Sequence, residues 1–300
     1  MENLLDQIAG AQKQGQLVAE LLERFDLFWN VVKEPMQTVS GLSSGYYSIY
    51  REDTNEEFQA VKESYEVFQN WELIEMVSKV AAESDLSLAK GGYFHGGRKV
   101  YLKIDTGSIK DIGKNHDEIK KYITVLNSHD GTGSLALGMT NITMSCSNTF
   151  HRMYKEMNTK IRHTSTMRDK IDELMRQVDK VREEEVTLYQ KFINMSESPI
   201  GDYDIKKMVQ IITGVDLNKT TEEAEEEYSS LNINKAMKLT TRIAEETIQK
   251  GRTLWGLFSG VTSYTNRDVR NKRNDILESK MVGSGYKIDN KAYDYVEAWV

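Results

Sequence analysis

The chain has one cysteine in 300 residues, Cys146, so an internal disulfide is excluded and a reducing cytosol is the expected compartment. No stretch approaches the ~20 apolar residues that a membrane span needs, so no membrane partner is expected. The first residues, Met1-Glu2-Asn3-Leu4-Leu5-Asp6, lack the basic start and apolar core of a secretory leader. The glycosylation patterns at Asn141, Asn194 and Asn218 are accordingly read as chance matches. No Gly-rich loop joins a strand to a helix with nucleotide-binding spacing. The five histidines, His95, His116, His129, His151 and His163, do not form the local pairs typical of zinc sites, and the only close pairing is His129-Asp130. Cys146 and His151 could form a nucleophile pair across a strand-to-helix junction, but a small buried cysteine beside a polar helix residue explains the same spacing. Asp202 and Asp204 read as turn residues. No cofactor and no metal site are expected.

Charge is present in quantity but unevenly. The formal net charge is -7. Residues 1–85 carry 6 basic and 16 acidic side chains, residues 86–170 carry 14 and 7, residues 171–234 carry 7 and 15, and residues 235–280 carry 10 and 5. A net-acidic chain binds a polyanion only if its basic segments share one face; otherwise such blocks are solvated surface.

Periodicity divides the chain into an N-terminal helical segment (1–40), an α+β antiparallel-sheet core (41–164) and a helical region packed on that core (165–300). Helical spacing runs over residues 15–34 through Leu17, Leu21, Leu22, Phe25 and Phe28 and ends at Pro35. Tyr46–Tyr50 and Tyr65–Phe68 read as strands, and Asn70 as the N-cap of a helix through Leu73, Ile74, Val77 and Val80. Two apolar runs, 86–94 and 98–104, flank His95-Gly96-Gly97 and predict a hairpin. Strands over 122–126, 135–139 and 142–144 follow, and residues 148–154 read as a helix start. Tight glycine turns favour antiparallel pairing over parallel crossovers. Beyond Thr166, apolar residues at Met167, Ile171, Leu174, Val178, Val181, Leu188 and Phe192 make a seam of alternating four- and three-residue steps. Helices are expected over 234–250 and 254–264, an acidic linker or helix start at 222–227, and a closing element over 286–300.

The basic and aromatic residues carry the functional expectation. Strand alternation places Lys99, Tyr101 and Lys103 on one face, beside Arg98. Such a face, if exposed, can stack a base and hold phosphates. A second basic run holds Arg152, Lys155, Arg162 and His163, and a third holds Arg267, Arg270, Lys272 and Arg273. The loop His129-Asp130-Gly131 can approach a nucleic-acid backbone closely, because Gly131 and Gly133 lack side-chain bulk.

The segments Gly92-Tyr-Phe-His-Gly-Gly-Arg-Lys-Val-Tyr, Leu126-Asn-Ser-His-Asp-Gly-Thr-Gly-Ser, Ile142-Thr-Met-Ser-Cys-Ser-Asn-Thr-Phe and Ile161-Arg-His-Thr resemble the phage/plasmid-like protein family, a domain of unknown function found in phages, plasmids and bacteria. Leu254-Trp-Gly-Leu-Phe-Ser-Gly-Val-Thr-Ser-Tyr-Thr-Asn and Gly283-Ser-Gly-Tyr-Lys are similar to its closing segment. The resemblance runs from about residue 40 to the end. It implies no reaction, only a mobile-element setting in which replication and recombination proteins are common. Together with the basic residues, it leads to an expectation of non-catalytic single-stranded DNA binding or annealing, with self-assembly as a homo-oligomer. The alternatives are a protein-interaction module acting on a host factor, and a metal-dependent enzyme using the His-Asp-Gly loop.

Overall fold

The turn at His95-Gly96-Gly97 has three consecutive residues at positive φ, 54°, 68° and 112°, a conformation glycine adopts without a steric cost. It joins β4 (Ser87–Phe94) to β5 (Lys99–Ile112) as the expected antiparallel hairpin, with Ser87 opposite Asp105 and Phe94 opposite Lys99 and a one-residue register shift between Leu88 and Lys90. In this computed structural model the backbone is described for residues 14–113, 117–143, 149–153, 160–269 and 276–300. Within them, the side chains of residues 143, 149, 151–153, 172, 174–175, 177–185 and 277 lie outside the description.

The chain is α+β, with two antiparallel sheets among the described residues. Helix α1 covers residues 14–24. A meander follows, β1 (Val31–Gln37), β2 (Ser43–Arg51) and β3 (Glu56–Lys62), paired in the order β1-β2-β3. The helical expectation over 15–34 is therefore too long at its C-terminal end. Asp26 takes a positive φ of 57° just past the helix, and Val31 begins a strand. Pro35 lies in β1, which pairs only with β2, and an edge strand is where a proline's missing N–H does no harm. Residues 65–68 form no strand; they lead into α2 (Asn70–Glu83), whose N-cap is Gln69 rather than Asn70. Glu72 accepts from the Gln69 N–H at 2.9 Å, the reciprocal half of a capping box.

The second sheet has the order β4-β5-β6-β7-β8, with β9 (Lys160–Ile161) pairing β7; β6 is Asp117–Ser128, β7 Leu135–Thr143 and β8 Thr149–Met153. The expected helix start over 148–154 is thus strand β8. The helices that follow are α3 (Ile171–Glu197), α4 (Asp202–Thr213), α5 (Thr221–Glu227), α6 (Ser230–Lys250), α7 (Leu254–Arg267), α8 (Ile276–Met281) and α9 (Ser284–Glu297). Helix α4 replaces the turn expected at Asp202 and Asp204. Asp204 accepts from the Gly201 N–H at 2.8 Å, and both carboxylates sit in the first turn, where the helix dipole favours them. Of the seam expected along α3, Met167, Leu188 and Phe192 are buried; Leu174, Val178 and Val181 lie outside the described side chains.

Two compact units are formed by interleaved stretches: one by residues 1–107, 122–139 and 153–181, the other by 108–121, 140–152 and 182–300. In the first, β4 lies close to Phe25, the residue just past α1, through glycine. A Cβ at Gly91 would meet the Phe25 ring at 2.7 Å and Leu102 at 2.8 Å. The core of the second is aromatic. Phe150 stacks on Tyr293 at 5.2 Å and meets Phe258 edge-on at 5.0 Å, while Phe192 lies 5.1 Å from Trp255. Each such ring buries a large apolar area. The same unit holds a buried polar triad. Lys280 donates to Thr265 at 2.7 Å, Thr265 donates to Asp289 at 2.6 Å, and Lys280 pairs directly with Asp289.

Candidate nucleic-acid interface

Strand β6 ends at Ser128, and the His-Asp-Gly loop that follows turns inward. His129 is fully buried. Its Nε2 lies 3.0 Å from Asn70 Oδ1, and its ring meets Trp29 edge-on at 5.8 Å and stacks near Phe58 at 6.4 Å. Burial pushes its pKa down to about 3, so at neutral pH it is an uncharged ring held by hydrogen bonding. The Asn70 amide also donates to Leu27 O at 3.2 Å and Trp29 O at 3.1 Å. Asn70 therefore ties three pieces of chain together, a stronger role than the cap expected of it. Gly131 takes φ 67° with a Cβ position 3.0 Å from Val61, and a Cβ at Gly133 would lie 2.9 Å from Ser128. The two glycines make room for the protein's own side chains rather than for a ligand.

Asp130 accepts from Ser128 Oγ at 2.6 Å, from the Thr132 N–H at 3.0 Å and from Thr132 Oγ1 at 2.7 Å, with Lys99 Nζ at 3.3 Å. Burial raises the carboxyl's pKa, but the Ser128 and Thr132 hydrogen bonds outweigh burial and hold it below its usual value. Tyr65 donates to Ser128 O at 2.8 Å, and its ring stacks on buried His163 at 5.0 Å. His163 Nδ1 lies 3.1 Å from Glu66 O, and burial lowers its pKa. The arrangement is a buried hydrogen-bonded network in which His129 Nδ1 and His163 Nε2 have no hydrogen-bond partner among the described residues. Among the described residues no group of three or more His, Cys, Asp or Glu could hold a metal.

The hairpin cations divide into two sets. Arg98 donates to the Phe58 and Glu57 carbonyls, and Lys99 to Ser128, Asp130 and Thr132. Arg98 thus holds strand β3 and Lys99 the loop after β6, and neither is an open face. Tyr101 and Lys103 do share the face that alternation predicts, yet Lys103 is only 3% exposed. A row of rings and ammonium groups runs along this face. Tyr101 stacks on Phe94 at 5.0 Å. Lys103 Nζ lies 5.9 Å from the Tyr101 ring and 6.0 Å from the Tyr122 ring, and exposed Lys90 lies 6.0 Å from Tyr122. Lys90 stands directly opposite Lys103 in the β4–β5 register. Burial, helped by the charge of neighbouring Lys90, pushes the Lys103 pKa down to about 8. Sequence reading missed Lys90 and Tyr122 as partners of Lys103; the hairpin register would have supplied the first.

Of the second basic run, Arg162 is exposed and His163 is buried. The Arg152 side chain and Lys155 lie outside the described residues, as do His116, Cys146, the His151 side chain, Arg270, Lys272 and Arg273. Arg168 is committed to Glu72, at 2.9 Å. No helix among the described residues is long and apolar enough to cross a membrane.

No curated protein and no solved structure matches the chain. A family of domains does match, over residues 57–283, which takes in the β4–β5 hairpin, the His-Asp-Gly loop and the aromatic helix α7. That span is well over half the chain, and the protein therefore belongs to the domain of unknown function family DUF932.

Proposed function

We propose that this protein binds single-stranded nucleic acid without catalysis, in the cytoplasm of cells carrying phages or plasmids, and promotes strand annealing. The observation that carries the reading is Lys90 opposite Lys103 on one sheet face, with the rings of Tyr101 and Tyr122 beside them and no ion pair to a described carboxylate. Like charges directly opposite across a ladder oppose pairing, so a bound anion would relieve a cost that the free protein carries. Rings beside ammonium groups suit single strands, whose bases can stack while phosphates are held. The site is the hairpin expected from sequence, but with Lys90 and Lys103 as its cations in place of Arg98 and Lys99.

Titration of fluorescent single- and double-stranded oligonucleotides at low and moderate salt tests this. Single strands are expected to bind more tightly, with affinity falling as salt rises. Lys90→Glu should weaken binding about tenfold, because it inverts a charge at the phosphate position. Lys62→Glu, an exposed charge on β3, should leave it nearly unchanged. Equal affinity for Lys90→Glu and the parent at low salt removes this face from the site.

A second reading, a protein-interaction module, is favoured by the β1–β2 hairpin, which exposes Val39, Leu42 and Tyr46 at its tip. Isolated exposed apolar residues are ordinary, but several together mark contact surfaces. If that tip binds a protein, Leu42→Asp should abolish capture of that partner and leave oligonucleotide affinity intact, as read by pull-down and titration in parallel.

A further inference from the structure

Strands β1 and β2 run past the end of β3. Their ladder continues from Val31 opposite Arg51 to Gln37 opposite Ser43, whereas β3 reaches only as far as Lys62 opposite Tyr46. Residues 36–45 are therefore a two-stranded ribbon with no third strand beside it among the described residues. Its turn is held by several hydrogen bonds. The Thr38 N–H donates to Leu42 O at 2.8 Å, the Gly41 N–H to Thr38 O at 2.8 Å and the Leu42 N–H to Thr38 Oγ1 at 3.1 Å, and Ser44 Oγ donates to Met36 O at 2.9 Å. Every residue from Gln37 to Tyr46 is nonetheless exposed, and two strands alone are only marginally stable in water.

The base of the same sheet is protected against further pairing. Gln69 Nε2 donates to Val31 O at 2.8 Å and its Oε1 accepts from the Val31 N–H at 2.9 Å. Pro35 has no N–H to offer, and Arg98 donates to the Glu57 and Phe58 carbonyls of β3. Charges, prolines and covering side chains are the usual defence of an exposed edge. The ribbon has none of them, since residues 36–50 contain no charged side chain and no proline. Elsewhere the surface is far from neutral. The chain carries a net charge of -7, and residues 1–85 hold 16 acidic side chains against 6 basic. Two copies therefore repel one another over most approaches, and the ribbon is where they meet with least opposition.

We propose that the β1–β2 ribbon is a self-association surface, joining two copies of this chain edge to edge through residues 36–46. An antiparallel strand edge is its own complement about a twofold axis. Backbone N–H and C=O groups pair across the axis, and Val39, Leu42 and Tyr46, all exposed in the single chain, gain apolar cover. The surface is that of the interaction-module reading, on which this inference rests, with the partner now a second copy. The contact is small beside the ~800 Å² per partner of a stable interface, so the complex is transient, with a dissociation constant on the order of 10–100 µM.

Sedimentation velocity of the full chain from roughly 1 to 200 µM spans that range. The sedimentation coefficient is expected to rise from monomer towards dimer. Added salt should strengthen the association by screening the like charges of the two copies, the reverse of its effect on oligonucleotide binding. Leu42→Asp should weaken self-association at least tenfold without moving the unfolding midpoint. An equal mixture of Leu42→Asp and Leu42→Lys brings opposite charges into one small interface and should associate more tightly than either variant alone. A parent that stays monomeric throughout overturns the proposal; capture of a host protein that Leu42→Asp still abolishes would then leave the interaction-module reading standing, and capture that it leaves intact removes both. Association that is unchanged in Leu42→Asp, or that weakens as salt rises, overturns the ribbon as the self-association surface.

Discussion

Asp289→Asn is expected to lower the unfolding free energy by about 3–5 kcal/mol, the usual cost of removing one partner from a buried ion pair. The carboxylate and the Lys280 ammonium are both fully buried, and Thr265 lies between them as acceptor from Lys280 and donor to Asp289. Burial pushes the Lys280 pKa down and the Asp289 pKa up, and their mutual attraction opposes both shifts. With Asp289 neutralised, Lys280 must either remain charged without a counter-ion or give up its proton, and each choice costs free energy. The companion variant separates this from a packing defect. Lys280→Met with Asp289→Leu removes both charges while keeping most of the volume, and should recover much of the loss. Urea unfolding of the parent, the single and the double variants measures the three free energies. A double variant no more stable than the single would show that side-chain packing around α7, α8 and α9, rather than the unpaired ion, sets the cost.

The second large effect is a loss of stability in acid. His129 is uncharged and fully buried, with a pKa of about 3 against an ordinary value of 6.5. A base whose folded pKa is depressed stabilises the native state fully above its unfolded pKa. That contribution is lost as pH falls from about 6.5 towards 3, because only the unfolded chain takes up the proton there. By about pH 4 the loss from His129 alone is on the order of 3 kcal/mol. His163, also lowered by burial, adds in the same direction. Asp130, held below its usual value, adds a further loss at still lower pH, as its carboxylate must be protonated. Unfolding free energies measured from about pH 7 to pH 4 should trace this fall. His129→Phe should flatten it while lowering stability at neutral pH, because Asn70 Oδ1 loses its partner. An equally steep acid limb in His129→Phe would place its origin elsewhere.

What the sequence showed and what it hid follow from the range of the interactions involved. The β4–β5 hairpin was legible because a glycine pair between two apolar runs is a local signal, and so was α6, whose apolar residues recur at helical spacing. The meander was harder. Pro35 looked like a helix end, whereas it sits in an edge strand where its missing N–H is tolerated. Strand β8 read as a helix because five residues are too few to show a period. The site was obscured for a different reason. A lysine reads as surface charge wherever it stands, and only tertiary packing reveals that Lys103, Lys121 and Lys280 are buried. The same holds for His129 and Asp130, which look like an accessible reactive pair. The residues that close His129 in, Trp29, Phe58 and Asn70, lie 59 or more positions away along the chain, and Lys99, which reaches Asp130, lies 31 away.

Neither compact unit is a continuous piece of polypeptide; each is assembled from three separated stretches. During synthesis, therefore, the first unit lacks its last stretch until residue 181 has emerged from the ribosome, and the second waits for helix α9. Edge strand β4 and the apolar runs of β5 and β6 are exposed in the meantime, which is the condition under which nascent chains recruit chaperones or pair with one another. No single cut of the gene separates the two units.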